Sequence, residues 1–437
     1  MPNCTNERML FGRHGRRQIE ANFEGGALSS DGGLMLLRQV DRKIGLSKAV
    51  AAALHDPRNQ DMIVHELRDL VAQRLYGLCC GYEDLNDHAA LRCDPLMQTA
   101  VGTDAELGSS PTLCRMERRA NRADIIALNR VLVDQFIAAH AVAPQELVLD
   151  IDASDIPLHG DQERAEFHAY YDHYCYLPLY VFCGKAMLAC VLRNSRIDGA
   201  KYAAAVIKLL VTRLRQAWPH VRLIVRGDSG FCRQRLIRWC ERQDVGYVIG
   251  VARNARLHKI VAGWEGELEA AYAVSNTKQR IIREFRYAAG SWDQERRIVT
   301  RLEFGNQGAN PRFVVTNLGL SAEDLYDGLY CQRGEAENRI KETQLDLFGT
   351  RTSCRKFLAN WLRILFSALA YTLMQRLREI ALSGTDLARA SAATIRVKLL
   401  KIGAAVIRNT RRIRILFASH HPLRETFLCA ARALAAP

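Results

Sequence analysis

Seven side chains in this sequence have the types and spacing to act on a phosphodiester. Asp150 and Asp152 close the apolar run Leu147 to Asp152, and the two-residue period of a strand puts both on one face. Asp228 follows a second apolar run, Val221 to Val225, in the tract RGDSG, whose glycines permit a sharp turn. Tyr330, Arg333, Glu337 and Lys341 lie in LYCQRGEAENRIKE, where i, i+4 spacing aligns Arg333, Glu337 and Lys341 as a stripe of cation, anion, cation. A few carboxylates, completed by water and phosphate oxygens, hold hard divalent ions such as Mg²⁺. Two such ions about 3.5 to 4 Å apart activate an attacking oxygen and stabilise a leaving one. Three carboxylates suffice for both ions, and a neighbouring Arg or Lys would hold the scissile phosphate. Each acid also has a plainer reading: a turn or N-cap acid for Asp152, an Asx-turn for Asp228, and for Glu337 a solvated helical ion pair worth about 0.3 to 0.5 kcal/mol.

The elements that must position these groups are readable in outline. Apolar spacing predicts helices over much of Ser29 to His140. Past Pro144 come three strand-like runs, LVLDID, PLYVFCG and MLACVLR, the last two joined by Gly184 and Lys185 in a hairpin. A helix from Ala200 to Trp218, the strand VRLIVRGD, the helix CRQRLIRWCERQ and the strand GYVIGVA follow. Strands alternating with helices specify an α/β sheet, and acids at the carboxyl ends of its strands stand where such sheets build sites. Polar and apolar alternation from Arg253 to Leu318 predicts a β-rich insertion, and helices return from Glu323 to Leu382. The tail from Thr394 to Phe417 fits neither period.

Length and composition bound the class. The chain has 437 residues, 49% of them apolar and 25% charged, with 11 prolines. That is about three average domains and excludes collagen-like or broadly disordered chains. No window reaches the uncharged apolar length a bilayer needs, since the best, Ile364 to Met374, is short and bounded by Arg363 and Arg376. The amino terminus lacks the continuous apolar stretch of a secretory signal, so the cytosol is the expected compartment. Thirteen cysteines with no C-x-x-C pair argue for reduced thiols over a zinc ribbon. The net charge of +14 is concentrated in residues 344–437, which hold sixteen basic and four acidic side chains. Such a field suits a polyanion, with nucleic acid foremost; a solubilising surface is the alternative.

The tract YCQRGEAENRIKE resembles the Y-x2-R-x3-E signature of bacterial DDE insertion-sequence transposases, matched by Tyr330, Arg333 and Glu337. The tracts LDIDASDIPLHGDQ, CYLPLYVFCG and RGDSGF, with HDPRNQDMIVHELRDL, GYEDLNDHAALRCDP and SSPTLCRMERRANR upstream, are similar to one branch, the insertion-sequence family numbered thirteen-eighty. That resemblance implies an α/β fold with a ribonuclease-H-like catalytic core. The expected layout is a mainly helical DNA-binding region over 1–143, the core over 144–252, a β-rich insertion over 253–320, core completion over 321–382 and a basic region over 383–437. It also implies catalytic, metal-binding roles for Asp152, Asp228 and Glu337, with Asp150 as the alternative first ligand. The expected cofactor is a pair of Mg²⁺ ions, with Mn²⁺ as a substitute. The signature normally carries a lysine seven positions after the glutamate, but this sequence has Gln344 there, leaving Lys341 or Arg339 as the basic partner.

The activity so implied is cut-and-paste transposition. Hydrolysis at the transposon end frees a 3′-hydroxyl that attacks the opposite strand, the resulting hairpin is reopened, and the end is joined to target DNA. The partners are double-stranded DNA, as terminal inverted repeats and as target, and a second copy of the chain in the DNA complex. Tyr330, Arg333 and Lys341 would contact DNA near the cut. Trp292 would brace a flipped base; its plainer reading is a half-buried strand residue. Arg118 and Arg119, with Arg122, form one candidate phosphate-contacting cluster, and Arg411 and Arg412 lie in the densest basic tract, with Arg396, Lys398, Lys401, Arg408 and Arg414. A DNA-binding relative without catalysis is the alternative function, and Gln344 is the feature that favours it.

Overall fold

The computed structural model describes residues 8–435. The chain divides into two compact units, one drawn from Met1–Lys48, Asp56–Arg115 and Arg376–Pro437, the other from Ala49–His55 and Met116–Gln375. The second unit is mixed α/β and carries all the acids singled out above. Its strands are β1 (Glu146–Ala153), β2 (Leu179–Cys183), β3 (Ala186–Val191), β4 (Arg222–Gly227), β5 (Gly246–Val251), β6 (Gln279–Tyr287), β7 (Arg296–Gly305) and β8 (Arg312–Thr316). Its main helices are α1 (Arg122–Ala138), α2 (Ala203–Ala217), α3 (Gln234–Arg242), α4 (Ala255–Ser275) and α5 (Gly334–Lys341); α6 (Phe357–Ile380) follows them.

The strands form one sheet in the order β6, β7, β8, β5, β4, β1, β2, β3, with the short strand Gly308–Ala309 paired to β7. β1, β4 and β5 run parallel, whereas β2 is antiparallel to β1 and β3 to β2. The parallel strands are largely apolar up to their charged ends because both faces are covered. Leu147, Leu149 and Ile151 of β1 pack in one cluster with Ile207 and Leu214 of α2 and with Leu236 and Ile237 of α3. On the opposite face Ile224, Val248 and Val314 meet Leu325 and Tyr326. Val148 joins that second face, so by period two Asp150 and Asp152 also belong to it.

Residues 253–320, expected as a β-rich insertion, hold one helix and four strands. They open with α4, a 21-residue helix capped by Asn254, whose side chain accepts from the Leu257 amide at 3.1 Å. Only Leu257, Val261 and Leu268 of this helix are buried, so its apolar stripe is too sparse to declare a helical period. The strands after it continue the main sheet, through β8 pairing antiparallel to β5. Among the described residues α6 alone is long and apolar enough, by length and composition, to cross a membrane. It exceeds the short window read from the sequence because its flanking arginines lie inside the helix, and 78% of its most apolar window is buried within the chain.

In the other unit the unassigned tail forms a hairpin, Ala404–Arg408 with Ile413–Phe417, to which Leu28–Ser29 adds a third strand. Several of its basic residues serve the interior. Arg396 donates to the Cys79 carbonyl at 2.9 Å, Lys401 Nζ lies 2.7 Å from buried Asp31, and Arg408 donates to Gln98 Oε1 at 3.0 Å. Arg411, Arg412 and Arg414 remain exposed.

The centre of the main sheet holds an ion pair. Arg226 sits opposite Asp150 in the parallel register, and the two make a two-point contact, Nε to Oδ1 and Nη2 to Oδ2, the latter at 2.7 Å. Their side chains are only 6% and 4% exposed. Burial pushes the Asp150 carboxyl above its ordinary range while Arg226 opposes that shift. Removing one member of such a pair strands the other, at a cost of about 3 to 5 kcal/mol, whereas replacing both by apolar groups is often neutral. Asp150→Asn is therefore expected to lower stability by about that amount in urea unfolding, and Asp150→Leu with Arg226→Met to recover most of it. Equal stability of Asp150→Asn and the native chain would contradict this placement.

Candidate active site

Asp152 emerges two residues beyond Asp150, where β1 leaves the sheet, and its Oδ1 accepts from the Ala153 amide at 2.8 Å. Asp228 stands at the corresponding end of β4. It caps the single turn Ser229–Phe231, accepting from the Gly230 amide at 2.9 Å, so the Asx-turn reading of this residue is realised. One carboxylate oxygen is engaged there, which leaves the group's charge and second oxygen free to act on its neighbours. The glycine before it is required by packing, because a Cβ on Gly227 would lie 2.9 Å from Ile151 Cγ2.

The third acid arrives on an irregular helical stretch. A π-helical turn at Asp324–Leu329 and a 3-10 turn at Tyr330–Arg333 precede α5, and a second π turn, Glu342–Asp346, follows it. Departures of this kind are frequent at functional sites because they re-aim side chains along one face. Arg226 Nη1 donates to the Leu329 carbonyl at 2.5 Å, which fastens this stretch to the sheet. Arg333 then reaches both acids: Nη1 lies 3.2 Å from Asp152 Oδ2 and Nη2 lies 2.6 Å from Glu337 Oε1. Side chains 185 positions apart in the chain thus share one guanidinium.

The electrostatics bear the mark of converging acids. Burial pushes the Asp152 carboxyl up to about 6, and the nearby charges of Asp228 and Glu337 push the same way, against Arg333 and the Ala153 amide. Burial also raises the Tyr330 hydroxyl, with Asp228 adding to the shift and Arg333 opposing it. Among the described residues no three His, Cys, Asp or Glu side chains close into a ready-made metal shell. Arg333 instead supplies the positive charge between Asp152 and Glu337. The donor chemistry fits a hard divalent cation, since Asp152, Asp228 and Glu337 offer carboxylate oxygens whose mutual repulsion a cation would relieve.

The sequence reading passed over Gly250 and noted Gln344 only for the lysine it replaces. A Cβ on Gly250, in β5, would lie 2.7 Å from the Tyr330 hydroxyl and 2.8 Å from the Ser229 nitrogen, so only glycine lets Tyr330 approach the Asp228 turn. A glycine inside a buried strand was the available signal. Gln344, at the position of the expected lysine, is buried and donates to Ser154 Oγ at 3.3 Å and to the Asp155 carbonyl at 3.2 Å. It ties the end of the helical stretch to the loop after β1.

Lys341 is exposed, and Arg339 pairs with Glu335 at 2.9 Å. Trp292 lies in the β6–β7 connection, half-buried, edge-on to Tyr287 at 5.7 Å between ring centroids and 5.5 Å from the Arg296 guanidinium. Arg118 is exposed at the end of the helix Ser110–Arg118 and Arg119 is half-buried beside it. Arg411 and Arg412 belong to the other compact unit.

A family model described as Transposase DDE domain group 1 matches residues 11–436. A comparison with curated proteins gives no match. Among solved structures the chain is similar to a piggyBac transposase synaptic complex with hairpin DNA, determined by cryo-EM, with a TM-score of 0.41 and 11% identity. That match covers 94% of this chain and 83% of the other.

The Asp152 shift has a measurable sign. A carboxyl at about 6 in the folded chain and 3.8 in the unfolded one is a destabilising anion above pH 6, and the penalty fades as both states protonate towards pH 4. In chelator, Asp152→Asn is expected to stabilise the protein by on the order of 2 to 3 kcal/mol at pH 8, with the gain disappearing near pH 4. Urea unfolding at both pH values checks this, and a loss of stability at pH 8 would contradict it.

Proposed function

Since the chain belongs to the Transposase DDE domain group 1 family and is thus a DDE transposase, an enzyme of DNA transposition, we propose that Asp152, Asp228 and Glu337 are its catalytic acids. The observation that carries this reading is the single guanidinium of Arg333 bridging Asp152 and Glu337 while Asp228 bears on the same carboxyl. The engagement of Asp150 by Arg226 supports Asp152 as the first acid. The order β3, β2, β1, β4, β5, with β1, β4 and β5 parallel, supports a ribonuclease-H-like core. The tracts named above support membership of the insertion-sequence branch numbered thirteen-eighty, in a bacterial cytoplasm.

The three acids would hold two Mg²⁺ ions, or Mn²⁺ in their place. When bound, such ions lower the pKa of an attacking water or hydroxyl and neutralise the leaving oxygen. The chain's own residues do the rest. Arg333, held between Asp152 and Glu337, would offer its two-pronged donor to the scissile phosphate. Tyr330, pressed against the Asp228 turn, offers its hydroxyl to the adjacent backbone. Gln344 keeps the helix that bears Glu337 in register with the end of β1. The reaction is strand hydrolysis at the terminal inverted repeats, attack of the freed 3′-hydroxyl on the opposite strand to give a hairpin, reopening, and joining to target DNA by a homodimer that pairs two ends. Lys341, Trp292, Arg118, Arg119, Arg411 and Arg412 complete the DNA contacts.

Cleavage of a labelled duplex carrying the element's terminal repeats tests this reading. Cutting at the repeat boundary is expected with Mg²⁺ and not with chelator. Asp228→Asn and Glu337→Gln should each abolish cutting, by at least about a thousand-fold, with DNA binding retained. Near-native turnover by either variant would remove that residue from the mechanism.

A further inference from the structure

We propose that the surface on either side of Tyr202 is a binding site for unpaired DNA strand, an inference that rests on the proposed DNA-cutting function. Tyr202 precedes α2 with φ at +70°, a left-handed backbone that a bulky side chain rarely adopts, and the residue is 55% exposed. Strain of this kind persists only where the surroundings hold it.

Two cavities meet at this ring. One, of about 470 Å³, is lined by Lys201, Phe231, Arg233 and Arg235, and it begins three residues beyond Asp228. The single acid on that lining, Asp198, is paired with Arg233 at 2.7 Å. The other, of about 450 Å³, is lined by Arg122, Arg164, Arg193, Phe357 and Trp361. Arg164 lies over the Phe357 ring at 4.6 Å. Arg193 is 3% exposed; its Nε and Nη1 donate to the carbonyls of Leu177, Gly199 and Lys201, but its Nη2 has no acceptor. A buried donor left without a partner in the protein is a feature that asks for an outside acceptor.

Aromatic faces beside arginines are the chemistry of single-strand recognition, in which bases stack on rings and phosphates meet guanidinium groups. A duplex keeps its base faces stacked inside, so only a strand that has left its partner can present them to Tyr202 or Trp361. Each cavity falls in the range of about 300 to 1,000 Å³ typical of small-ligand pockets, which admits a nucleotide. The Phe231 end of the path starts in the turn that Asp228 caps, so a strand released beside the acids would enter this surface first.

The test uses the full chain, a fluorescent short oligodeoxythymidine as probe, and anisotropy as readout. Tyr202→Gly suits the left-handed backbone and is expected to fold with an unchanged or raised melting temperature. It should nevertheless bind the single strand at least about ten-fold more weakly than the native chain, while Tyr202→Trp binds as the native chain does. Arg122→Ala and Arg235→Ala should each flatten the salt dependence by about 0.7 in log–log slope. Equal affinity of Tyr202→Gly and native protein overturns the proposal. So does an absence of single-strand binding in a native protein that cuts its repeat duplex, a result that leaves the proposed function standing. Single-strand binding lost in Tyr202→Gly upholds the site even if no duplex is cut, in which case the cutting reading alone fails.

Discussion

Three carboxylates brought to one end of a sheet repel one another, and the fold has to supply the charge that lets them converge. Arg333 supplies it. Its guanidinium spans Asp152 at the end of β1 and Glu337 on α5, and the same acids keep it in place. The helical stretch that carries it is fastened to the sheet at Leu329 by Arg226 and allowed to approach by Gly250. Arg226 is itself held by Asp150, so the buried pair in the sheet and the open pair at its edge are successive links of one chain of contacts.

That chain separates two aspartates that share a strand face. Asp150 lies one residue pair deeper, where water is excluded and a two-point partner is essential. Asp152 lies where the strand leaves the sheet, near like charges, and its carboxyl is raised to about 6. Two residues of depth divide an acid locked in a buried ion pair from one raised by burial among like charges. The same principle separates the basic residues. Arg396, Lys401 and Arg408 satisfy interior acceptors, while Arg411 and Arg412 face solvent, although all five read alike as positive charges in sequence.

The elements that carry the candidate acids were readable before the structure, for definite reasons. β1 and β4 are buried runs that end in an acid, and a helical stripe with i, i+4 charges announces Arg333 and Glu337. What period and composition could not supply was pairing. Nothing local in β6 to β8 says that they extend the main sheet, because β8 finds β5 across some sixty intervening residues. α4 was missed because three buried positions in 21 leave little stripe to detect. Gly250 looked ordinary and Gln344 stood out only for the lysine it replaces, because their contacts, with Tyr330, Ser154 and Asp155, are distant in the chain. Trp292 could be read as an aromatic in a strand-rich stretch, but its packing on Tyr287 and Arg296 depends on tertiary contacts that no local pattern announces.

The central proposal is that Asp152, Asp228 and Glu337 together hold the divalent cations. Metal-directed cleavage of the polypeptide tests it most directly: with Fe²⁺ in place of Mg²⁺ and a reductant with peroxide, backbone breaks form beside the bound ion and are mapped by mass spectrometry. The account predicts breaks clustered near residues 152, 228 and 337 together, all suppressed by competing Mg²⁺. Breaks confined to one of these segments, or gathered elsewhere on the chain, would contradict it.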